Sequence, residues 1–192
     1  MSIELLLMTA CFVAAAACFA ANQKYRAAVD EAHAAGEKSP VQVPERIFSY
    51  DAAYIDSFKS KAGTVRTASG RRALAVYVRP ILIWLDVGFA ISLSLAAALF
   101  WKVSPHFAAN LPYIQSVAWF CLVMSVAYGV TDVAEDLWLA RLLDKTSVTR
   151  EWEGTIACAL TRLKMGTITL SLVGLIAFAI FSKIFARQRS SG

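Results

Sequence analysis

Three carboxylates, Asp132, Glu135 and Asp136, follow a run of about 20 mostly apolar residues that begins at Leu111. Their i, i+3, i+4 spacing places all three on one helical face, just where a membrane-spanning helix should leave lipid. Clustered carboxylates can pair with basic side chains, exchange protons, or bind hard cations. A fourth acid, Asp86, stands alone in apolar sequence between Trp84 and Trp101. A ruler of ~1.5 Å per residue, laid back from Trp101 across a core of ~30 Å, puts the inner membrane boundary near Ile81. Asp86 then sits about 7 Å inside that boundary, level with Tyr128 and with Thr167 or Thr169 as hydroxyl partners. An ionised carboxylate there is costly, so Asp86 should face the bundle interior, be paired, or keep its proton.

Basic residues lie at the same level in sequence. Arg79 precedes the second apolar run, Arg141 follows the acids, and Arg162 and Lys164 enter the fourth run. Set against Asp86, Asp132, Glu135 and Asp136, these four bases predict an inner-end charge network that fixes helix register. Adjacent Arg and Lys would satisfy the acids, so no metal ligand is assigned. No catalytic or cofactor-binding residue is assigned either. Neither His33 nor His106 is placed to activate a Ser or Cys, and no Gly-rich phosphate loop occurs. The four cysteines, Cys11, Cys18, Cys121 and Cys158, lie in or beside apolar helix and read as packing residues.

The elements that must position these groups are apolar helices. The chain is 58% apolar and only 17% charged, and the apolar residues come in blocks. Four windows can cross a membrane: residues 3–21, 81–101, 111–131 continuing to about 143, and 163–182 starting near 151. The expected fold is all-α, an integral membrane four-helix bundle with a cytoplasmic helical segment between the first two spans. In domain terms this is a first span (1–22), a cytoplasmic and juxtamembrane segment (23–79) and a three-span bundle (80–192). The first apolar run is read as a retained helix rather than a signal peptide, because Glu4 precedes it and Lys24 and Arg26 follow it. Its alanines at 10, 14, 17 and 21 form a narrow stripe suited to close helix contact. A second, polar helix is expected from Ser49 or Asp51 to Ala62, lying on the inner leaflet, packed on the bundle end, or simply solvated.

Charge sets the orientation. The first and third connections hold ten and five Lys or Arg residues, against one in the second connection and three in the C-terminal tail. Placing the first and third inside puts both termini outside, in a bacterial inner membrane. The net charge of +5 is thus a matter of topology, and nucleic acid is not an expected partner. The partners expected are the lipid bilayer and a protein of a membrane complex, or a second copy of the chain. The functional expectation is a non-catalytic scaffold or accessory subunit. The alternative is a small transporter or proton-conducting protein using Asp86, although no charged residue lies between Ser92 and Trp101 or between Leu111 and Val130.

Overall fold

The computed structural model describes residues 2–36, 42–107 and 114–190. Among these residues the chain is helical throughout, apart from turns and one isolated bridge between Arg66 and Arg72. Helix α1 (Ile3–Gly36) carries the first apolar run straight on into the charged, Ala-rich segment. At ~1.5 Å per residue such a rod is about 50 Å long, well beyond a ~30 Å hydrocarbon core. A 3-10 turn (Pro44–Arg46) and helix α2 (Ala52–Thr64) follow. Asp51 caps α2 by accepting from the Tyr54 amide at 2.8 Å.

The second span starts earlier than the hydropathy window. Helix α3 (Ala73–Val76), a π-helical stretch (Tyr77–Asp86) and helix α4 (Val87–Phe107) form one rod that includes Pro80. Proline removes a donor from the helical ladder, and the shift to wider turns coincides with it. Helix α5 (Ile114–Asp144) and helix α6 (Glu151–Ser190) complete the bundle. Glu153 ties the start of α6 by accepting from the Arg150 amide at 2.8 Å and pairing with Lys145 at 2.9 Å. The four candidate spans are Ile3–Glu31, Ala73–Pro105, Ile114–Asp144 and Glu151–Phe181.

The apolar side chains of these helices are largely on the outside. Phe12, Phe19, Trp119, Phe120, Leu172 and Ile176 are all at least half exposed. A surface of this kind fits lipid and not water, so the chain is read as an integral membrane protein. The helices pack in the order α1, α4, α5, α6, leaving α1 and α6 at the two flanks. At one end Glu4 of α1 pairs with Lys102 of α4, and Phe178 of α6 stacks on Trp101, so the start of α1 and the later part of α6 lie on the same side of the bundle. At the other end sits the main apolar core. There Ile55, Phe58 and Ala62 of α2 are fully buried with Tyr77, Ile81 and Leu139. α2 therefore caps the bundle end, which decides among the three sequence alternatives for it.

Two local expectations change, for Trp101 and for the alanines of α1, and α6 shows which of its sides packs. Trp101 is 2% exposed and packed among Phe100, Phe178 and Cys121, so it is not a headgroup anchor and cannot mark the membrane boundary. Ala10, Ala14 and Ala17 face outward, while α1 meets the second rod through Cys18 against Gly88, Phe19 against Phe89 and Asn22 bonded to Asp86. On α6 the side that packs inward is Lys164, Thr167, Ser171 and Gly174, whereas Arg162, Gly166 and Thr169 are exposed. Cys18 lies against Gly88 and Cys121 against Gly174, so two cysteines fill gaps that glycines open.

Candidate functional site

The polar stripe of α5 points inward along its whole length. Ser125 bonds its own helix at the Cys121 carbonyl (2.8 Å), accepts from Ser94 Oγ at its carbonyl (2.8 Å), and meets Ser171 Oγ at 3.1 Å. One turn on, Gly129 lets Ser94 approach so closely that a Cβ there would collide with its hydroxyl. Below these lie Asp132, Glu135 and Asp136, all buried, as their helical spacing predicts.

The charge network exists at that level, but with other bases than expected. Lys164 is the one predicted base that reaches the acids, at 2.8 Å from Asp132 and 2.5 Å from Glu135. Arg162 points the other way, to the Phe48 carbonyl (3.4 Å), Ser49 Oγ (3.0 Å) and the Phe48 ring. Arg141 lies over the Trp138 ring, and Arg79 is exposed. These three long side chains lie on outward faces of their helices, where they keep their charge in water along the apolar surface.

The second interior cation is Arg26 of α1. It pairs with Glu45 of the 3-10 turn and with Asp86 at 2.8 Å, and donates to Asn22 Oδ1 at 3.0 Å. Asn22 in turn donates to Asp86. Asp86 is thus neither isolated nor served by Tyr128, Thr167 or Thr169; an amide and a guanidinium one helix away hold it. Glu135 accepts from Thr161, whose oxygen also meets the Tyr50 hydroxyl at 3.0 Å, a link running out to the α2 side of the bundle. Burial pushes the Tyr50 hydroxyl up from its ordinary range, so it stays protonated and donates to Thr161, whose own proton goes to Glu135.

The sequence reading missed Asn22, Arg26 and Glu45. A signal for the first two was present. Cys11, Ala15, Cys18, Asn22 and Arg26 recur at i+4, i+3, i+4, i+4, the inward face of α1. For Glu45 no periodicity exists, because it stands in a three-residue turn after Pro44.

Two neighbouring hollows open between the flanking helices. In the membrane core, a cleft of about 520 Å³ lies between α1 and α6 over α4 and α5, lined by Phe12, Ala97, Trp101, Ser125, Tyr128 and Leu172 among others. At its inner end Tyr128 and Ile168 also border a smaller hollow of about 280 Å³. Glu45, Asp86 and Asp132 line this one together with Arg26, Arg46 and Lys164. Such an arrangement can bind an amphiphile or hold ions. Comparison with protein families, with curated proteins and with solved structures finds no match to the chain. The fold and site therefore define a class, a helical membrane protein with four helices long and apolar enough to span a bilayer and a charged pocket at one end of the bundle, and no family.

Proposed function

We propose that this protein works by binding rather than by catalysis, as a scaffold or accessory subunit of a membrane assembly, and that its α1–α6 cleft holds a zwitterionic lipid. One observation carries the reading: the apolar cleft borders, at Tyr128 and Ile168, a hollow lined by three acids and three bases. Acyl chain and dipolar headgroup match that pair of surfaces in polarity and in order along the membrane normal. The outward-facing Ala10, Ala14 and Ala17 of α1 support a protein neighbour on the flank. The charge distribution favours a bacterial inner membrane, residues 23–79 in the cytoplasm and both termini outside.

Transport or proton conduction through Asp86 has less support. Asp86 is held by Asn22 and Arg26, and between Asp86 and Lys102 the span carries no further charge. Trp101 supplies the test of the lipid reading, because it lines the cleft. In a variant whose other four tryptophans are Phe, phosphatidylethanolamine with brominated acyl chains should quench Trp101 well beyond phosphatidylglycerol brominated alike. Equal quenching by the two lipids would reject a headgroup-selecting cleft.

A further inference from the structure

The inner cluster carries more negative charge than its bases answer. Arg26 serves Glu45 and Asp86, and Lys164 serves Asp132 and Glu135. Asp136 remains, fully buried at 0% exposure, and among the described residues neither of its oxygens has a hydrogen-bond partner. The Tyr77 hydroxyl, buried within electrostatic reach of Glu45 and Asp136, has none either. Buried carboxylates without a partner are costly and rare, and one set among four other acids is more so.

Geometry gives the unpartnered group a use. One oxygen from each of Glu45, Asp86 and Asp136 lies within 4.8 Å of the other two. These residues come from the 3-10 turn, the π-helical stretch and α5, so their convergence is not a by-product of one helix's periodicity. We propose that Glu45, Asp86 and Asp136 bind a hard divalent cation of the Mg²⁺, Ca²⁺ or Mn²⁺ class. The donor set is all carboxylate oxygen, which selects these ions over Zn²⁺ or Cu²⁺. With bonds of about 2.3–2.6 Å, oxygens on opposite sides of a Ca²⁺ ion are about 4.6–5.2 Å apart, and those of Mg²⁺ about 4.1 Å. Three oxygens that all lie within 4.8 Å of one another are therefore close enough to share one ion of Ca²⁺ size. A proton on Asp136 would cancel one charge only. A metal ion answers the charge of all three acids at once, and by joining Glu45 to Asp86 and Asp136 it pins the segment between the first two spans onto the bundle.

The test uses the full chain in detergent micelles after treatment with EDTA. Titration with Mn²⁺, followed by the electron paramagnetic resonance of the free ion, should show about one site per chain, displaced by Ca²⁺ or Mg²⁺ and not by NaCl. At about a hundredfold excess over Kd, the melting temperature should rise by about 5–11 °C. Asp136→Asn and Glu45→Gln, which alter different elements, should each weaken Mn²⁺ binding about tenfold or more. Absence of Mn²⁺ binding to the wild-type chain would overturn the proposal without any variant. Binding weakened by Glu135→Gln and untouched by Glu45→Gln would overturn it too, placing the ion within α5 alone.

Discussion

Replacing Arg26 by Ala removes the one guanidinium that serves two buried carboxylates. The side chains of Arg26, Glu45 and Asp86 are 12%, 5% and 11% exposed, so water can do little to replace it. Breaking a buried pair by deleting one partner costs about 3–5 kcal/mol, because the other charge stays behind. Arg162→Ala is the informative contrast. That residue is exposed and its partners are a carbonyl and a hydroxyl, so its loss should cost about 1 kcal/mol or less. At about 2–4 °C per kcal/mol for a chain of this size, Arg26→Ala should melt about 6–20 °C below wild type and Arg162→Ala within about 4 °C of it. The assay is thermal unfolding in one detergent, repeated with the double variants. Arg26→Ala and Asp86→Asn should couple by more than about 1 kcal/mol, whereas Arg162→Ala and Asp136→Asn should add within about 0.5 kcal/mol. An Arg162 variant as damaged as the Arg26 variant, or coupled to Asp136, would refute the assignment of bases to acids.

Other expectations follow from the cap on the bundle end. A Cβ at Gly154 would lie 2.6 Å from the Ala52 amide nitrogen, so Gly154→Ala should push α2 off α6, cost about 1–3 kcal/mol, and expose the chain around residues 42–72 to limited proteolysis. Asp56 joins α2 to the α5–α6 connection by accepting from the Thr149 amide (2.9 Å) and hydroxyl (2.7 Å), with Lys59 at 3.0 Å. Partial burial opposes its charge, but these donors outweigh it and hold its carboxyl below the usual range. Its contribution is therefore present above the ordinary carboxylate pKa and lost as pH falls through the lowered folded value. Asp56→Ala should melt below wild type at pH 7, and the gap should close as the pH drops below about 4. Reporter fusions should place the segment between the first two spans in the cytoplasm, and a cytoplasmic signal from the connection between the second and third would reverse the orientation.

Much of this architecture is legible in the sequence because hydropathy blocks and helix period are strong signals. The continuation of α1 past the membrane, the Asp51-capped α2 and the inward stripe from Cys121 to Asp136 all follow from them. The side-chain partners are less legible for a physical reason. Arg162 and Lys164 are two residues apart on α6, so they point about 200° apart, and the sequence alone does not say which one turns inward. The packing does, through Thr161, Lys164 and Ser171. Trp101 misleads for the opposite reason: a tryptophan near a span end resembles an interface anchor whether it faces headgroups or, as here, Phe100 and Phe178.

That the protein acts by holding a lipid between α1 and α6 is tested most directly by native mass spectrometry of the full chain released from detergent. The wild type should retain a mass matching a zwitterionic phospholipid. Ala97→Trp, which fills the cleft from α4, should lose that mass while keeping its melting temperature. A wild-type chain that sprays without lipid, or an Ala97→Trp chain that retains the same lipid to the same extent, would contradict the account.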